Sequence, residues 1–117
     1  MKTDYSGGCH CGKIRYQVTL DLGQVTSCNC SRCAKLGWFM AFAPLDDFKL
    51  LSGAEDAIEY QFNKRVISHM FCRICGIEPF ARGIRPDGAK MVAIDVRCLE
   101  GVDTETLSVK NFNGRAL

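Results

Sequence analysis

Seven of the eight cysteines in this chain fall into three short clusters, and their spacing constrains the fold more than any other sequence feature. The clusters are Cys9-His10-Cys11, Cys28-Asn29-Cys30-Ser31-Arg32-Cys33 and Cys72-Arg73-Ile74-Cys75. Groups of two, three and two thiols supply one closed zinc site of four sulfurs and leave three sulfurs for a second site. A four-thiolate site is structural, whereas a three-thiolate site with an open fourth position can take part in chemistry.

The surroundings of the clusters favour metal ligands over disulfides. The first eight residues, MKTDYSGG, contain no hydrophobic signal region, so we expect a cytoplasmic protein whose thiols stay reduced. Cysteines two positions apart, such as Cys9 and Cys11, rarely close a strain-free disulfide. We therefore predict two zinc ions per chain.

Length and charge restrict the class of protein. We expect 117 residues to form a single zinc-binding domain over 1–117, with a core thin enough for metal ions to add stability. The net charge of +2 and the lack of a Lys/Arg run argue against a nucleic-acid partner. The longest apolar stretch, residues 36–45, is far shorter than the roughly 18 residues that a membrane span needs, so no membrane partner is expected.

Hydrophobic patterning predicts β structure. Ile14, Tyr16, Val18 and Leu20 alternate strictly with polar residues, which is typical of a half-buried strand. Similar short runs lie at residues 37–43, 48–51, 58–62, 66–71, 78–81, 91–96 and 107–112. The one helix candidate is the short turn at residues 30–36. We predict a mainly β protein with a small, largely antiparallel sheet.

Two of the clusters resemble each other and predict the first metal site. Residues 8–12 (GCHCG) and 71–76 (FCRICG) each carry two cysteines followed by a glycine, before a strand. Two such knuckles, each donating two thiolates, build a zinc ribbon. We predict an inert, structural zinc held by Cys9, Cys11, Cys72 and Cys75, the alternative being buried free cysteines.

The three-cysteine cluster predicts a second site of different character. Cys28, Cys30 and Cys33 place three sulfurs on one tight turn, with no fourth cysteine nearby in sequence. Three thiolates leave zinc with a net charge of −1, which makes it poor at activating water but suited to binding a substrate thiolate. The alternative is a second structural site closed through space by a distant side chain: His10, His69, Asp46, Asp47 or Cys98.

The isolated residues near the clusters are predicted to have structural roles rather than to bind metal or act in catalysis. Cys98, at the end of an apolar run, is predicted to be a small buried hydrophobe. His10 lies between two candidate ligands, so its side chain should point away from them. His69 alternates with apolar residues, which favours a hydrogen-bonded strand histidine over a catalytic base, and Trp38 is predicted to pack in the core.

These motifs resemble those of the glutathione-dependent formaldehyde-activating enzyme (GFA) family, which includes centromere protein V-like proteins. The resemblance covers about residues 7–101 and keeps all three cysteine clusters in order. Its segments are 7–12 (GGCHCG) with the strand at 14–16, 28–33 (CNCSRC), 51–53 (LSG), 71–76 (FCRICG) with Phe80, 85–88 (RPDG) and 96–99 (VRCL).

The resemblance implies a β-tent zinc fold, a structural zinc on Cys9, Cys11, Cys72 and Cys75, and a catalytic zinc on Cys28, Cys30 and Cys33. It implies a carbon–sulfur lyase that joins formaldehyde and glutathione reversibly to S-(hydroxymethyl)glutathione. We therefore predict an enzyme with a small thiol substrate, glutathione, whose acid or base the sequence does not identify. The alternatives are a non-catalytic zinc-binding interaction or chaperone module, and a lyase for another thiol adduct.

Overall fold

Short β-strands make up most of the regular structure that the computed structural model describes, which covers residues 2–62 and 65–116. One α-helix, α1 (Ser31–Leu36), and several single turns of 3-10 helix accompany them. The strands are β1 (Thr3–Gly8), β2 (Arg15–Leu20), β3 (Val25–Cys28), β4 (Met40–Pro44), β5 (Phe48–Ser52), β6 (Ala57–Tyr60), β7 (Ile67–Cys72), β8 (Phe80–Ile84), β9 (Lys90–Asp95) and β10 (Val109–Phe112). The prediction of a mainly β fold is confirmed.

The strands form two sheets. A three-stranded antiparallel sheet has the order β1-β2-β5, and a seven-stranded sheet has the order β10-β3-β4-β9-β8-β7-β6. Neighbours in the larger sheet run antiparallel except β10, which pairs with β3 in parallel. The larger sheet is therefore mixed, because the C-terminal strand reaches its edge after a long connection rather than a hairpin.

The core lies between the two sheets and follows from the alternation in β2. Tyr16, Val18 and Leu20 are buried on one face of this strand, as the sequence pattern predicts. The ring of Tyr16 packs edge-on against Phe80 of the larger sheet, at 6.0 Å between centroids, and its hydroxyl donates to the Pro79 carbonyl oxygen at 3.2 Å. This satisfied hydroxyl lets a tyrosine occupy a fully buried position.

Several strand boundaries differ from the predicted ones, for local reasons. The run at 37–43 becomes a strand only at Met40, because Gly37 adopts a left-handed φ of 71° to end α1. The run at 78–81 pairs only from Phe80, after a proline that has no N–H to donate. β1 and β3 were not predicted, because glycine and polar residues in β1 and a cluster cysteine in β3 mask the alternation.

Helical segments are short throughout residues 2–62 and 65–116. Within these ranges, none is long and apolar enough to cross a lipid bilayer.

Candidate metal centres

The first cluster forms where the two sheets approach each other. Cys9 and Cys11 follow β1 of the small sheet, Cys72 ends β7 of the large sheet, and Cys75 lies in the turn after it. The four sulfur atoms all lie within 4.8 Å of one another, and the Cys11 sulfur is 3.6 Å from those of Cys9 and Cys72. A Zn–S bond of about 2.3 Å requires sulfurs about 3.8 Å apart in a tetrahedron, so this arrangement fits a zinc ion.

Both pairs of this cluster sit on turns of the same design. The glycine after the second cysteine of each pair has a left-handed φ, 84° at Gly12 and 79° at Gly76. A backbone N–H donates to a sulfur in each turn, from Ile14 to Cys9 at 3.3 Å and from Ile74 to Cys72 at 3.4 Å. Such donors stabilise thiolates, and the similarity of the two turns that the sequence indicates is present in the fold.

The electrostatics of the first cluster favour metal capture. Burial disfavours ionisation of Cys75, but N–H groups of Ile77 and Cys11 outweigh it and lower the pKa of the Cys75 thiol to about 6. Burial likewise opposes ionisation of Cys72, but N–H donors to sulfur lower the pKa of the Cys72 thiol as well, so the turn after β7 favours the thiolate form that a metal ion binds.

The second cluster surrounds the start of α1. Cys28 ends β3, Cys30 caps the N-terminus of the helix, and Cys33 lies in its first turn. The three sulfurs lie within 4.8 Å of one another. The cap places them there, because the N–H of Cys33 donates to the Cys30 sulfur and the N–H of Cys30 to the Cys28 sulfur, each at 3.4 Å. Both clusters can hold a metal ion, and their all-sulfur donor sets are consistent with zinc.

The three sulfurs of the second cluster differ in their ease of ionisation. Burial raises the pKa of the Cys33 thiol to about 12, although the indole Nε1–H of Trp38 donates to its sulfur at 3.2 Å. Burial also acts on Cys30, but the N–H donors of Cys33 and Arg32 lower its pKa overall. Trp38 therefore packs in the core as predicted, and also donates to a candidate ligand.

No fourth Cys, His, Asp or Glu atom joins this cluster among residues 2–62 and 65–116. All three cysteines line a cavity of about 500 Å³, which His69 also lines without joining the ligand group. The other candidates lie elsewhere: Asp46 and Asp47 line a separate cavity, the Cys98 sulfur is 3.4 Å from Asp95, and His10 is exposed. None of the five side chains considered from sequence closes the site.

A buried charged network lies beside this cavity. His69, 3% exposed, places Nδ1 at 2.8 Å from the Glu78 carboxylate, and the other oxygen of Glu78 accepts from Arg32 at 2.5 Å. Phe62 stacks on the imidazole at 5.7 Å between centroids. His69 is thus hydrogen-bonded on its strand, as its alternation predicts, and its place at the cavity wall leaves a role in proton transfer open. The sequence analysis did not single out Glu78. Its position as a carboxylate within an apolar stretch, directly before Pro79, was the signal that could have identified it.

The C-terminal segment lies directly against the second cluster. β10 pairs with β3 along its whole length, which brings Gly114 so close that a Cβ there would meet the Cys28 sulfur at 2.5 Å. The side chain of Asn29 makes two hydrogen bonds to this segment, each of 2.9 Å. Its Nδ2 donates to the Asn113 side-chain oxygen, and its Oδ1 accepts from the backbone N–H of Arg115. One wall of the candidate site therefore comes from the last residues of the chain.

Comparison with known proteins agrees with this architecture. The sequence profile of the family described as glutathione-dependent formaldehyde-activating enzyme matches residues 4–112, a range that includes both clusters. The crystal structure of a Rhodobacter sphaeroides protein is similar, with 33% sequence identity and a TM-score of 0.79. The match covers 89% of this chain and 97% of that one. The chain belongs to the glutathione-dependent formaldehyde-activating enzyme family.

Proposed function

We propose that this protein is a zinc-dependent carbon–sulfur lyase that joins glutathione to formaldehyde and splits the adduct, S-(hydroxymethyl)glutathione. The observation that carries the proposal is a group of three sulfurs that faces a large cavity and has no fourth protein ligand among the described residues. We assign the catalytic zinc to Cys28, Cys30 and Cys33. We assign a structural zinc to the closed set, Cys9, Cys11, Cys72 and Cys75.

The donor set selects thiol chemistry. Zinc held by three thiolates stabilises a substrate thiol as its thiolate, while the ligand charge makes it a weak activator of water. The protein offsets the accumulated negative charge with N–H donors to sulfur, including the indole of Trp38. The cationic side chain of Arg32 is committed to Glu78, so it does not serve this purpose directly.

His69 is the group we propose for proton transfer. Its Nδ1 is engaged by Glu78, and no hydrogen-bond partner of Nε2 is found among the described residues, so Nε2 is free for a substrate in the cavity. In the synthetic direction the glutathione sulfur forms a bond to the carbonyl carbon, and Nε2–H protonates the carbonyl oxygen. In reverse, Nε2 takes the hydroxyl proton, the carbon–sulfur bond breaks and its electron pair stays on sulfur.

The experiment that tests this function combines metal analysis with exchange NMR of glutathione and formaldehyde on purified, zinc-loaded protein. We expect two zinc ions per chain and exchange above the spontaneous rate. Cys30→Ser should retain one zinc and its fold while the accelerated exchange falls by about 100-fold or more, because the open site loses a ligand.

Cys98→Ser is the matched control, since Cys98 belongs to neither cluster and lies against Asp95. It should keep both zinc ions and exchange within about twofold of the unmodified protein. Two zinc ions with no acceleration of exchange would refute the formaldehyde reaction, and would favour a zinc-binding interaction module on the same fold or a lyase for another thiol adduct.

A further inference from the structure

The cavity above the second cluster is far larger than formaldehyde requires. Its volume is about 500 Å³, whereas formaldehyde contributes only one carbon and one oxygen to an adduct. Drug-sized ligands occupy cavities of roughly 300–1,000 Å³, so this space can hold glutathione itself, and the character of its walls decides which further group is bound.

The walls beside the sulfurs are apolar, and two of their aromatic rings are exposed. Trp38 and Met40 are buried next to Cys33, and the rings of Phe42 and Phe112 continue the surface outwards. Phe42 is 53% exposed and Phe112 is 45% exposed, although both line the cavity. Exposed apolar side chains gathered around a concave site mark a place where an apolar group of a ligand is buried.

The charged side chains around the cavity indicate how a bound ligand would be oriented. Two cations, Arg65 and Lys110, line it together with the aromatic walls, and no carboxylate side chain does so among the described residues. Glutathione carries two carboxylates, which such cations can bind. The sulfurs, the cations and the aromatic walls can therefore hold the thiol, the carboxylates and a third, apolar part of one ligand.

We infer that the preferred substrate is a glutathione adduct of a bulky apolar aldehyde, aliphatic or aromatic, rather than the formaldehyde adduct. The inference rests on the proposed lyase function and names its carbonyl substrate. In the cleavage direction the carbon–sulfur bond breaks, its electron pair stays on the glutathione sulfur, and the hydroxyl proton passes to Nε2 of His69 as the carbonyl forms. The reaction conserves oxidation state and needs no further reactant.

Stable thioethers test the ligand preference without catalysis. Titration calorimetry of the zinc-loaded protein compares S-methylglutathione with S-hexylglutathione, which differ only in apolar length. We expect the hexyl thioether to bind at least about tenfold more tightly, since each methylene buried in a pocket contributes severalfold. Equal affinities for the two thioethers would overturn the inference.

Two matched variants test whether the preference for the hexyl thioether arises from residues of the cavity. Phe42→Ser should reduce the hexyl preference to less than about threefold, because it removes an exposed ring from the cavity wall. Ile84→Ser changes a residue of similar exposure, 57%, that does not line the cavity, and should leave the preference unchanged. Equal loss in both variants would show that the preference arises elsewhere and would overturn the inference.

Measurements of kcat/KM with different aldehydes distinguish a failure of this inference from a failure of the proposed lyase function. Glutathione exchange is compared with hexanal, benzaldehyde and formaldehyde, and we expect the highest kcat/KM with one of the two larger aldehydes. A higher kcat/KM with formaldehyde overturns the inference while the lyase function stands. Acceleration with none of the three, despite tight binding of the hexyl thioether, refutes the lyase and with it the substrate assignment.

Discussion

At the scale of single residues, the carboxylate of Glu78 links the site's electrostatics to its chemistry. It is almost fully buried, yet each of its oxygens has a partner, Arg32 on one side and His69 on the other. A buried charge persists only when it is paired and hydrogen-bonded in this way. The same bond that satisfies Glu78 also fixes the orientation of the His69 ring beside the cavity.

The proposed proton transfer predicts the behaviour of His69→Asn. The shorter amide can still donate to Glu78 but cannot exchange a proton with substrate, so lyase activity should fall by about 100-fold or more. Zinc content should remain at two per chain, and added imidazole should restore part of the activity in the cavity. His10→Asn is the control, because His10 is exposed outside the cavity. Activity of His69→Asn within about twofold of normal would exclude His69 as the proton carrier.

Asp95 predicts a pH dependence of stability. Burial, with a smaller contribution from the nearby Glu78 carboxylate, raises the pKa of its carboxyl to about 6, although hydrogen bonds from the Cys98 thiol and the Arg97 N–H act in the opposite direction. The folded pKa exceeds the value of about 3.9 in an unfolded chain, so this group's stabilising contribution, complete at low pH, is lost as the pH rises through about 6. The Asp95→Asn variant has no carboxyl group to ionise, so it does not lose stability in this pH range. Its side-chain oxygen can still accept a hydrogen bond from the N–H of Arg97.

The variant should therefore gain stability over the unmodified protein by about 1 kcal/mol more at pH 7.5 than at pH 5.5. Urea unfolding of the zinc-loaded proteins at the two pH values measures this difference. A stability difference that does not change with pH would contradict the assignment of the raised pKa to Asp95.

At the scale of elements, the second cluster depends on the packing of two adjacent segments, β3 and α1, against a third, β10, that is far from them in the chain. β3 and α1 supply the three sulfurs, and β10 supports them through its parallel pairing with β3. The helix is only six residues long, so its position depends on the cap at Cys30 and on this neighbouring strand rather than on helix propensity. The C-terminal segment is therefore part of the candidate site.

The close approach of that segment predicts the effect of Gly114→Ala. The added Cβ would lie 2.5 Å from the Cys28 sulfur, so the segment or the cysteine must move. We expect the affinity of the second zinc to fall by about tenfold or more, measured by competition with a chromogenic chelator, while the first zinc is unaffected. Gly83→Ala, whose Cβ would meet its nearest neighbour at 3.7 Å, should change neither affinity. Unchanged zinc affinity in Gly114→Ala would show that the segment yields without disturbing the site.

At the scale of the whole molecule, the first cluster joins the two sheets. Two of its sulfurs follow β1 of the small sheet, and the other two belong to the end of β7 and the turn after it. A metal ion there would hold together the layers whose facing side chains form the core. For a chain of this size, which buries only about two thirds of its unfolded surface, such a link is a large part of the stability.

The two clusters should consequently respond differently to the loss of one ligand. Cys72→Ser should lower Tm by at least about 15 °C or prevent folding, because a structural zinc contributes several kcal/mol or more. Cys30→Ser should change Tm by no more than about 5 °C. Differential scanning calorimetry with metal analysis measures both variants. If both unfold to the same extent, the division into structural and open sites is wrong.

The sequence by itself determined the grouping of the cysteines and much of the β architecture. Cysteines two or three positions apart converge through local backbone geometry, as the left-handed glycines at Gly12 and Gly76 illustrate. Strict alternation likewise determined which face of β2 is buried, because side chains alternate across any strand. Family membership, predicted from these motifs, is confirmed by the profile match.

Only the tertiary structure decided what surrounds the second cluster. The pairing of His69 with Glu78, the approach of Gly114 to Cys28 and the cavity bounded by Phe42 all join residues of strands to residues of other strands or of the connections between them. Such contacts depend on strand order and register, which hydrophobic periodicity does not encode. The cysteine spacing could therefore indicate a three-sulfur site, but whether a distant side chain closed it was settled by the packing of the strands around it.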